Sequence, residues 1–251
     1  MKDFCSFIMV IIAFLCFSCH NEPKVPAQDK TIGTSTNIEG DSTLYGLACD
    51  GCTDSVLVFL PGKGGDPITY DIIDATMHRK IIGKPKVGDW VAVILNGQDP
   101  EKADMVINLD ELKGTWVEQK MPVERHRMVQ SAVTPEEKMI QDSIIKSLMK
   151  PIEIGFSLKR HYTAQPYGMR RRSANADKDS PVIFPSPKFY TEWHVFNGKL
   201  VLTIGDPRSL GKSDTSKQNV LGHDTIDFVL MTKDSLRLKH KDGERGYYRK
   251  K

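Results

Sequence analysis

Short apolar runs separated by turn residues fill most of the sequence from Leu44 onward, and this spacing constrains the fold more than any other feature. Runs such as DWVAVILN and KLVLTIG are rich in the β-branched and apolar residues that strands favour. Asp-Gly and Asn-Gly pairs lie between several of them and favour two-residue hairpins, because these residues accept a positive φ angle. The sequence therefore predicts a protein that is mainly all-β.

The first group of runs predicts a small domain over residues 41–110. Its strand candidates are TLYGLAC, DSVLVFLP, ITYDIIDA, DWVAVILN and ADMVINL, which follow one another without a long helix. Strands at such regular intervals are typical of a small closed or sandwich-like β-unit. The segment KPKVGDWVAVIL resembles the turn and strand of OB-like and SH3-like barrels, so we expect an N-terminal small β-barrel.

Residues 111–251 contain two segments that resemble one family. Gly114-Thr115-Trp116 resembles the G-x-W start of lipocalin and calycin barrels, and SLRLKHKDGERGYY resembles the end of bacterial lipocalin-like lipoprotein domains. The resemblance implies a lipocalin-like antiparallel β-barrel with Gly114 and Trp116 at its floor. In that family a late cationic residue often packs across the tryptophan. The candidates here are Arg237, Arg245 and Arg249.

One α-helix is predicted as an insertion in the barrel domain. Thr134 is suited to the N-cap, Pro135 to the first turn and Glu137 to a capping box. The residues that follow form an apolar stripe, namely Ile140, Ile144, Ile145 and Leu148. Because the helix falls between the first two barrel strands, unlike the helix of typical lipocalins, we expect it either to gate the barrel as a lid or to fill it.

The resemblance also implies a ligand pocket. An eight-stranded barrel holds either side chains alone or one small ligand. The bulky lining candidates are the same in both cases: Phe156, Tyr162, Phe189, Trp193 and Phe228. A hollow barrel would bind a small hydrophobic or amphipathic ligand, whereas a filled one would make the protein a non-enzymatic interaction or scaffold module.

Residues 1–19 are typical of an export signal. Lys2 precedes an apolar run, Phe4–Phe17, which is too short for a spanning helix of about 20 residues. The ending Ser18-Cys19 resembles a bacterial lipobox, which implies that acyl chains such as palmitate are attached to Cys19. An uncleaved signal anchor or an ordinary signal peptide is the alternative.

A lipidated Cys19 would make the protein a lipoprotein anchored to a membrane of the bacterial cell envelope, periplasmic or surface-facing. Residues 20–40 contain few large apolar residues, and we expect them to form a flexible tether. The membrane and a small ligand are thus the expected partners.

Cys49 and Cys52 lie on either side of Asp50-Gly51. Exported proteins favour disulfides, and a tight hairpin at Asp50-Gly51 would pair the two cysteines across the turn. The sequence therefore predicts a disulfide, with free thiols or a redox or metal role as alternatives. A thioredoxin-type pair sits at a helix N-terminus, and structural zinc needs four ligands, which makes a thiol–disulfide or zinc protein the weaker hypothesis.

The sequence contains no recognisable catalytic motif, nucleotide-binding loop or metal-ligand spacing. Asp224 with Asp227, and Glu192 with His194, are acid–base pairs of a kind that polar strand faces often produce. We therefore expect no enzymatic activity, no cofactor and no metal. A net charge of +3 does not favour a nucleic-acid partner. The RRR run at residues 170–172 indicates a solvated loop or a cationic rim.

Overall fold

Two antiparallel sheets dominate the computed structural model, which describes residues 38–125, 134–168, 180–207 and 220–251. The N-terminal sheet consists of β1 Leu44–Ala48, β2 Val56–Pro61, β3 Ile68–Asp71, β4 Ile81–Ile82, β5 Trp90–Leu95 and β6 Ala103–Asn108. Their order is β3-β2-β1-β5-β6-β4, and only β4 and β6 pair in parallel. A parallel bridge between Asp71 and Lys102 also links the end of β3 to the start of β6, so the sheet curls towards closure.

The segment ITYDIIDA is a strand only in its first half. β3 ends at Asp71, whose carboxylate accepts a hydrogen bond from the N–H of Ile73 at 2.9 Å. The short helix α1 (Ile73–Met77) begins there. The prediction of one continuous strand is therefore wrong, because the aspartate side chain offers the backbone a local partner in place of the sheet.

Ten strands follow α2 (Leu109–Leu112), and the second sheet contains eight of the ten. In chain order these are β7 Gly114–Lys120, β8 Val123–Glu124, β9 Ile152–Leu158, β10 Ala164–Tyr167, β11 Val182–Ile183, β12 Tyr190–Phe196, β13 Lys199–Gly205, β14 Val220–Met231, β15 Ser235–His240 and β16 Gly243–Lys250. β8 and β11 form a separate two-stranded ribbon. The others have the order β10-β9-β7-β16-β15-β14-β13-β12, with antiparallel pairing throughout.

A single antiparallel bridge, between Thr163 and Glu192, connects the two outer strands of this sheet and leaves a nearly closed eight-stranded barrel. The predicted fold class, mainly β with an antiparallel barrel and one inserted helix, is confirmed.

The up-and-down order of the strands gives the barrel two different ends. Short turns join the strands at one end, here named the closed end, and one of them is the predicted Asn197-Gly198 hairpin. Its two residues have φ angles of +46° and +77°, as a two-residue hairpin of this type requires. Long connections lie at the other end, here named the mouth, including the residues between β7 and β9 and those between β10 and β12.

Trp116 is fully buried at the closed end, where its indole N–H donates to the carbonyl of Leu112 at 2.8 Å. The guanidinium carbon of Arg249 lies 4.1 Å from the centroid of the Trp116 ring. Of the three arginines considered from the sequence, Arg249 therefore makes the cation–π contact. Arg237 and Arg245 pair instead with carboxylates.

The Arg249 guanidinium also binds three main-chain carbonyls. It donates to Lys113 at 2.6 Å, to Lys233 at 2.5 Å, and to Glu111. Gly114 has a φ of +138°, and a Cβ atom there would lie 2.2 Å from Nη1 of Arg249. The glycine of the G-x-W motif thus leaves the space through which the arginine reaches these carbonyls.

The N-terminal sheet packs against the closed end. Tyr45 donates its hydroxyl hydrogen to the carbonyl of Val195 at 2.6 Å, and the N–H of Ser42 donates to the side chain of Asn197 at 2.8 Å. One face of β5 shares a buried cluster with Trp116, while its other face packs into a separate cluster within the N-terminal sheet. The predicted boundary between residues 110 and 111 falls inside α2, two of whose leucines lie in the shared cluster.

The predicted helix is present as α3 (Pro135–Leu148), with the capping box formed by Thr134 and Glu137. Its apolar stripe is only partly covered: Ile140 and Ile144 are exposed, Ile145 and Leu148 are half-buried, and no side chain of the helix is fully buried. The expectation that the helix fills the barrel is therefore wrong. None of the helices in the four described ranges is long and apolar enough to cross a membrane.

Replacing Arg249 with methionine tests the closed end. Methionine keeps an apolar contact with Trp116 but removes the cation and three hydrogen bonds to carbonyls, so we expect the free energy of unfolding to fall by about 2–4 kcal/mol. Urea denaturation would measure this. The control is Arg237→Met on β15, where the side chain is 52% exposed; an equal loss in both variants would contradict the role of Arg249.

Candidate ligand site at the barrel mouth

The barrel interior is filled at the closed end. Residues directly opposite each other on paired strands lie on the same side of a sheet, and the registers place Trp193, Leu202 and Asp224 on one side. This side faces the interior, because Trp193 and Leu202 belong to the buried core. The interior side chains that are at most 1% exposed are Trp116, Leu158, Trp193, Val195, Leu200, Leu202, Ile226, Leu236 and Leu238. A ligand site inside this barrel must therefore lie nearer the mouth.

Three aromatic side chains form a layer above this apolar filling. The Phe156 ring lies 6.0 Å from the Tyr190 ring in a T-shaped arrangement and 5.2 Å from the Tyr247 ring. All three residues are at most 6% exposed. Burial raises the pKa of both tyrosines, which keeps their hydroxyl groups protonated.

One wall of the mouth carries a carboxylate with three hydrogen bonds. Asp224 on β14 accepts from the Tyr190 hydroxyl at 2.6 Å and from the Lys188 ammonium group at 2.6 and 2.9 Å. Burial by itself would raise the pKa of Asp224, but the hydrogen bonds from Lys188 and Tyr190 outweigh it, and the pKa lies below its usual range. This carboxylate is therefore ionised and held in place by its donors.

The next wall carries a histidine in contact with the aromatic layer. Nε2 of His240, at the end of β15, lies 2.9 Å from the Tyr247 hydroxyl. Burial lowers the pKa of His240, and the nearby positive charge of Arg245 lowers it further. His240 is consequently neutral at pH 7.

Glu118 on β7 and Arg245 on β16 complete the ring of polar residues. Their closest side-chain atoms, Oε1 and Nη1, lie 3.8 Å apart. Arg245 also pairs with Asp242 in the β15–β16 turn, and the second oxygen of Glu118 lies 3.0 Å from the Lys120 ammonium group.

The ring offers hydrogen-bond donors and acceptors without excess charge. Within the described residues, three carboxylates (Glu118, Asp224 and Asp242) balance three cations (Lys120, Lys188 and Arg245). An aromatic layer beneath such a ring is suited to holding a polar group of a small molecule by hydrogen bonds and ring contacts. None of the described residues form a group of three or more His, Cys, Asp or Glu side chains suited to a metal ion.

The five lining residues expected from the sequence do not form one pocket. Phe156 belongs to the aromatic layer, and Phe189 lies half-buried at the mouth beside Gly205. Trp193 and Tyr162 contact each other at the closed end, with 5.3 Å between ring centroids. Phe228 is half-buried against the core. Only two of the five therefore lie near the polar ring.

Neither of the two acid–base pairs considered from the sequence meets inside the barrel. Asp224 faces the interior, whereas Asp227 pairs with Lys199 on the outer side of the sheet. Glu192 and His194 lie on the side of β12 opposite to Trp193. Burial lowers the pKa of His194, and the proximity of His223 lowers it further.

The polar ring could have been found from the alternation of the last strands. In β15 the inward positions change from Leu236 and Leu238 to His240 near the mouth, and in β16 they change from Tyr247 to Arg245. Polar residues that continue an inward-facing pattern are the signal. Glu118 continues the inward pattern of Trp116 on β7 in the same way, whereas Lys188 precedes β12 and carried no such signal.

Cys49 and Cys52 are free thiols, so the structure corrects the prediction of a disulfide between them. The turn after β1 is longer than two residues. The N–H of Cys49 donates to the carbonyl of Val58, so Cys49 is paired across the strands with Val58 and not with Cys52. The Cys52 thiol donates to the carbonyl of Cys49 at 3.1 Å and accepts from the N–H of Val58 at 3.4 Å. The pair lies in a loop between strands and not at a helix N-terminus, where a redox pair would be expected.

Substitution of Asp224 by asparagine should destabilise the protein in a pH-dependent way. Because the pKa of the folded state lies below the ordinary value of 3.8, the carboxylate stabilises the fold above that pH and loses this effect as the pH falls through the folded-state pKa. We expect the difference in unfolding free energy between wild type and Asp224→Asn to shrink in acid. Urea denaturation across the pH range would measure it, with the outward-facing Asp227→Asn as control; a constant difference would contradict the assignment.

His240 should make the protein less stable in mild acid. Its folded-state pKa lies below the ordinary value of 6.5, so its stabilising effect is complete above that pH and is lost as the pH falls through the folded-state pKa. Between about pH 7 and pH 5, wild type should lose more unfolding free energy than His240→Gln. The exposed His78→Gln variant should behave like wild type, and an unchanged slope in His240→Gln would contradict the prediction.

Comparison with known proteins yields one structural neighbour and no family. A lipocalin-like protein from Bacteroides thetaiotaomicron is similar over 55% of this chain and 95% of its own length, with 19% sequence identity and a TM-score of 0.28. No protein-family model matches the sequence, and no curated protein matches it either.

Proposed function

We propose that this chain is a lipoprotein, anchored to a membrane of the bacterial cell envelope, whose barrel binds a small amphipathic or hydrophobic ligand at its mouth. The observation that carries the proposal is the polar ring above the aromatic layer, in a barrel interior that is otherwise apolar. Burying such groups costs free energy even when they are paired. A barrel required only for stability would more simply contain apolar side chains at both ends.

The filled closed end limits the size of the ligand. Because the side chains below the aromatic layer are almost fully buried, the ligand would enter only the mouth half of the barrel. A long apolar molecule would leave part of its chain outside. The mouth offers a surface for the part of the ligand that stays outside, because four apolar residues are exposed there: Met121, Val123, Val220 and Leu221.

The export signal and the Ser18-Cys19 lipobox support the membrane anchor. Ser42 and Tyr45, just beyond the predicted tether, bind the closed end of the barrel. The lipidated Cys19 would hold the protein at the membrane, with the barrel in the aqueous compartment, periplasmic or extracellular.

An OB-like N-terminal barrel is part of the same proposal. The support is the strand order β3-β2-β1-β5-β6, the helix after β3, and the parallel bridge between Asp71 and Lys102 that brings β3 and β6 together. We assign this unit no ligand of its own.

A second candidate function is an envelope interaction module with a filled barrel. The dense packing of the closed end and the exposed Ile140 and Ile144 side chains of α3 favour it. The thiol–disulfide hypothesis has less support, because Cys49 and Cys52 lie in a strand-connecting loop.

Native mass spectrometry of the mature protein from its own host would distinguish these functions. If the mouth binds a ligand, a co-purified small molecule should be present. It should be lost in Ile204→Trp, which enlarges a side chain on the inward side of β13. Thr225→Trp, on the outward side of β14, is the matched control. Absence of any adduct from the wild type would favour the interaction module.

The anchor requires a separate measurement. In membrane fractionation, Cys19→Ala should move the protein to the soluble fraction, while Ile204→Trp should leave it with the membranes. A Cys19→Ala protein that stays in the membrane fraction would contradict lipidation at this position.

A further inference from the structure

The ion pair between Glu118 and Arg245 is incomplete. At 3.8 Å, Oε1 of Glu118 and Nη1 of Arg245 are too far apart for a hydrogen bond, whose length is about 2.7–3.2 Å between nitrogen and oxygen. The Glu118 side chain is only 12% exposed and the Arg245 side chain 32%. A carboxylate and a guanidinium thus face each other inside the mouth without direct contact.

Both groups retain hydrogen-bonding capacity on the side that faces the mouth. A guanidinium has five N–H donors, and the carboxylate partner of Arg245 at close range is Asp242, which is 64% exposed in a turn. Glu118 is in contact with the ammonium group of Lys120 through its other oxygen. Among the described residues, no hydrogen bond to Oε1 of Glu118 is formed.

The chemistry of this gap selects one class of head group. A bare anion would be attracted by Arg245 but repelled by Glu118. A quaternary cation would be attracted by Glu118 but repelled by Arg245. A hydroxyl or amide group accepts a hydrogen bond from the guanidinium and donates one to the carboxylate, so it satisfies both. The Tyr247 and Phe156 rings, which meet edge to face at an interplanar angle of 62°, provide aromatic contacts for the remainder of such a head group.

We propose that the ligand of the mouth has an uncharged head group carrying hydroxyl or amide functions, which bridges Glu118 and Arg245 while its apolar chain leaves the barrel over the exposed apolar residues of the mouth. This inference rests on the proposed ligand-binding function. It assigns the polar end of the ligand to the interior and the apolar end to the outside, because the closed end has no room for a chain.

Three amphiphiles with the same apolar chain length test the proposal: octyl glucoside, octanoate and octyltrimethylammonium, each below its micelle-forming concentration. Binding to the full mature chain would be measured by calorimetric titration, and the site located by NMR shifts of Tyr190 and Tyr247. Octyl glucoside should bind at least about tenfold more tightly than either charged amphiphile, the factor of one hydrogen bond to a charged group.

Two substitutions should move this preference in opposite directions. Glu118→Gln leaves the charge of Arg245 less neutralised, so the affinity for octanoate should rise about tenfold relative to the affinity for octyl glucoside. Arg245→Gln leaves the charge of Glu118 less neutralised, so the affinity for octyltrimethylammonium should rise instead. Arg237→Gln removes an arginine from the outward side of the neighbouring strand and should leave the order of affinities unchanged. Circular dichroism of each variant would verify the fold.

The outcomes separate the two proposals. If none of the amphiphiles binds at the mouth, both the ligand-binding function and the head-group assignment are overturned. If all three bind with equal affinity, or if the two substitutions leave the order unchanged, only the head-group assignment is overturned, and the ligand-binding function stands.

Discussion

The contact between Arg249 and Trp116 is the interaction on which both halves of the molecule depend. It joins the last barrel strand to the first, and through the carbonyls of α2 it also reaches the chain that leads back to the N-terminal sheet. A cation is retained at this partly buried position because the aromatic face and three carbonyl oxygens replace its hydration. The closed end therefore has a fixed geometry, against which β5 and the Tyr45 hydroxyl pack.

The two ends of the barrel differ in what stabilises them. Near Trp116 the interior is held by apolar packing. Near the mouth it is held by hydrogen bonds from Lys188 and Tyr190 to Asp224, and by the hydrogen bond between Tyr247 and His240. Polar networks in a low-dielectric interior are rigid when their groups are paired and costly when they are not. The mouth is thus arranged before a ligand arrives, which reduces the conformational entropy that binding would cost.

Features decided by neighbouring residues could be predicted from the sequence. The Asn197-Gly198 hairpin and the Thr134–Glu137 capping box depend on local backbone preferences, and the G-x-W motif on a glycine required beside Arg249. Features decided by tertiary pairing could not. The turn containing Cys49 is set by the register of β1 with β2, and the polar ring is assembled from four strands and from the connections that carry Lys188 and Asp242. Sequence alternation therefore predicted that a barrel forms and could indicate only some of its polar inward positions, such as His240 and Arg245.

The single bridge between Thr163 and Glu192 makes the barrel wall discontinuous. Elsewhere, neighbouring strands share ladders of several residues, but β10 and β12 are joined at one point, and Pro166 has no N–H to contribute to a longer ladder. Local opening requires the least free energy where the fewest backbone hydrogen bonds must break. This seam runs beside Tyr190, so amide hydrogen exchange in β10 and β12 would report on local separation of these two strands. The barrel can therefore open along one side while the rest of its wall stays paired.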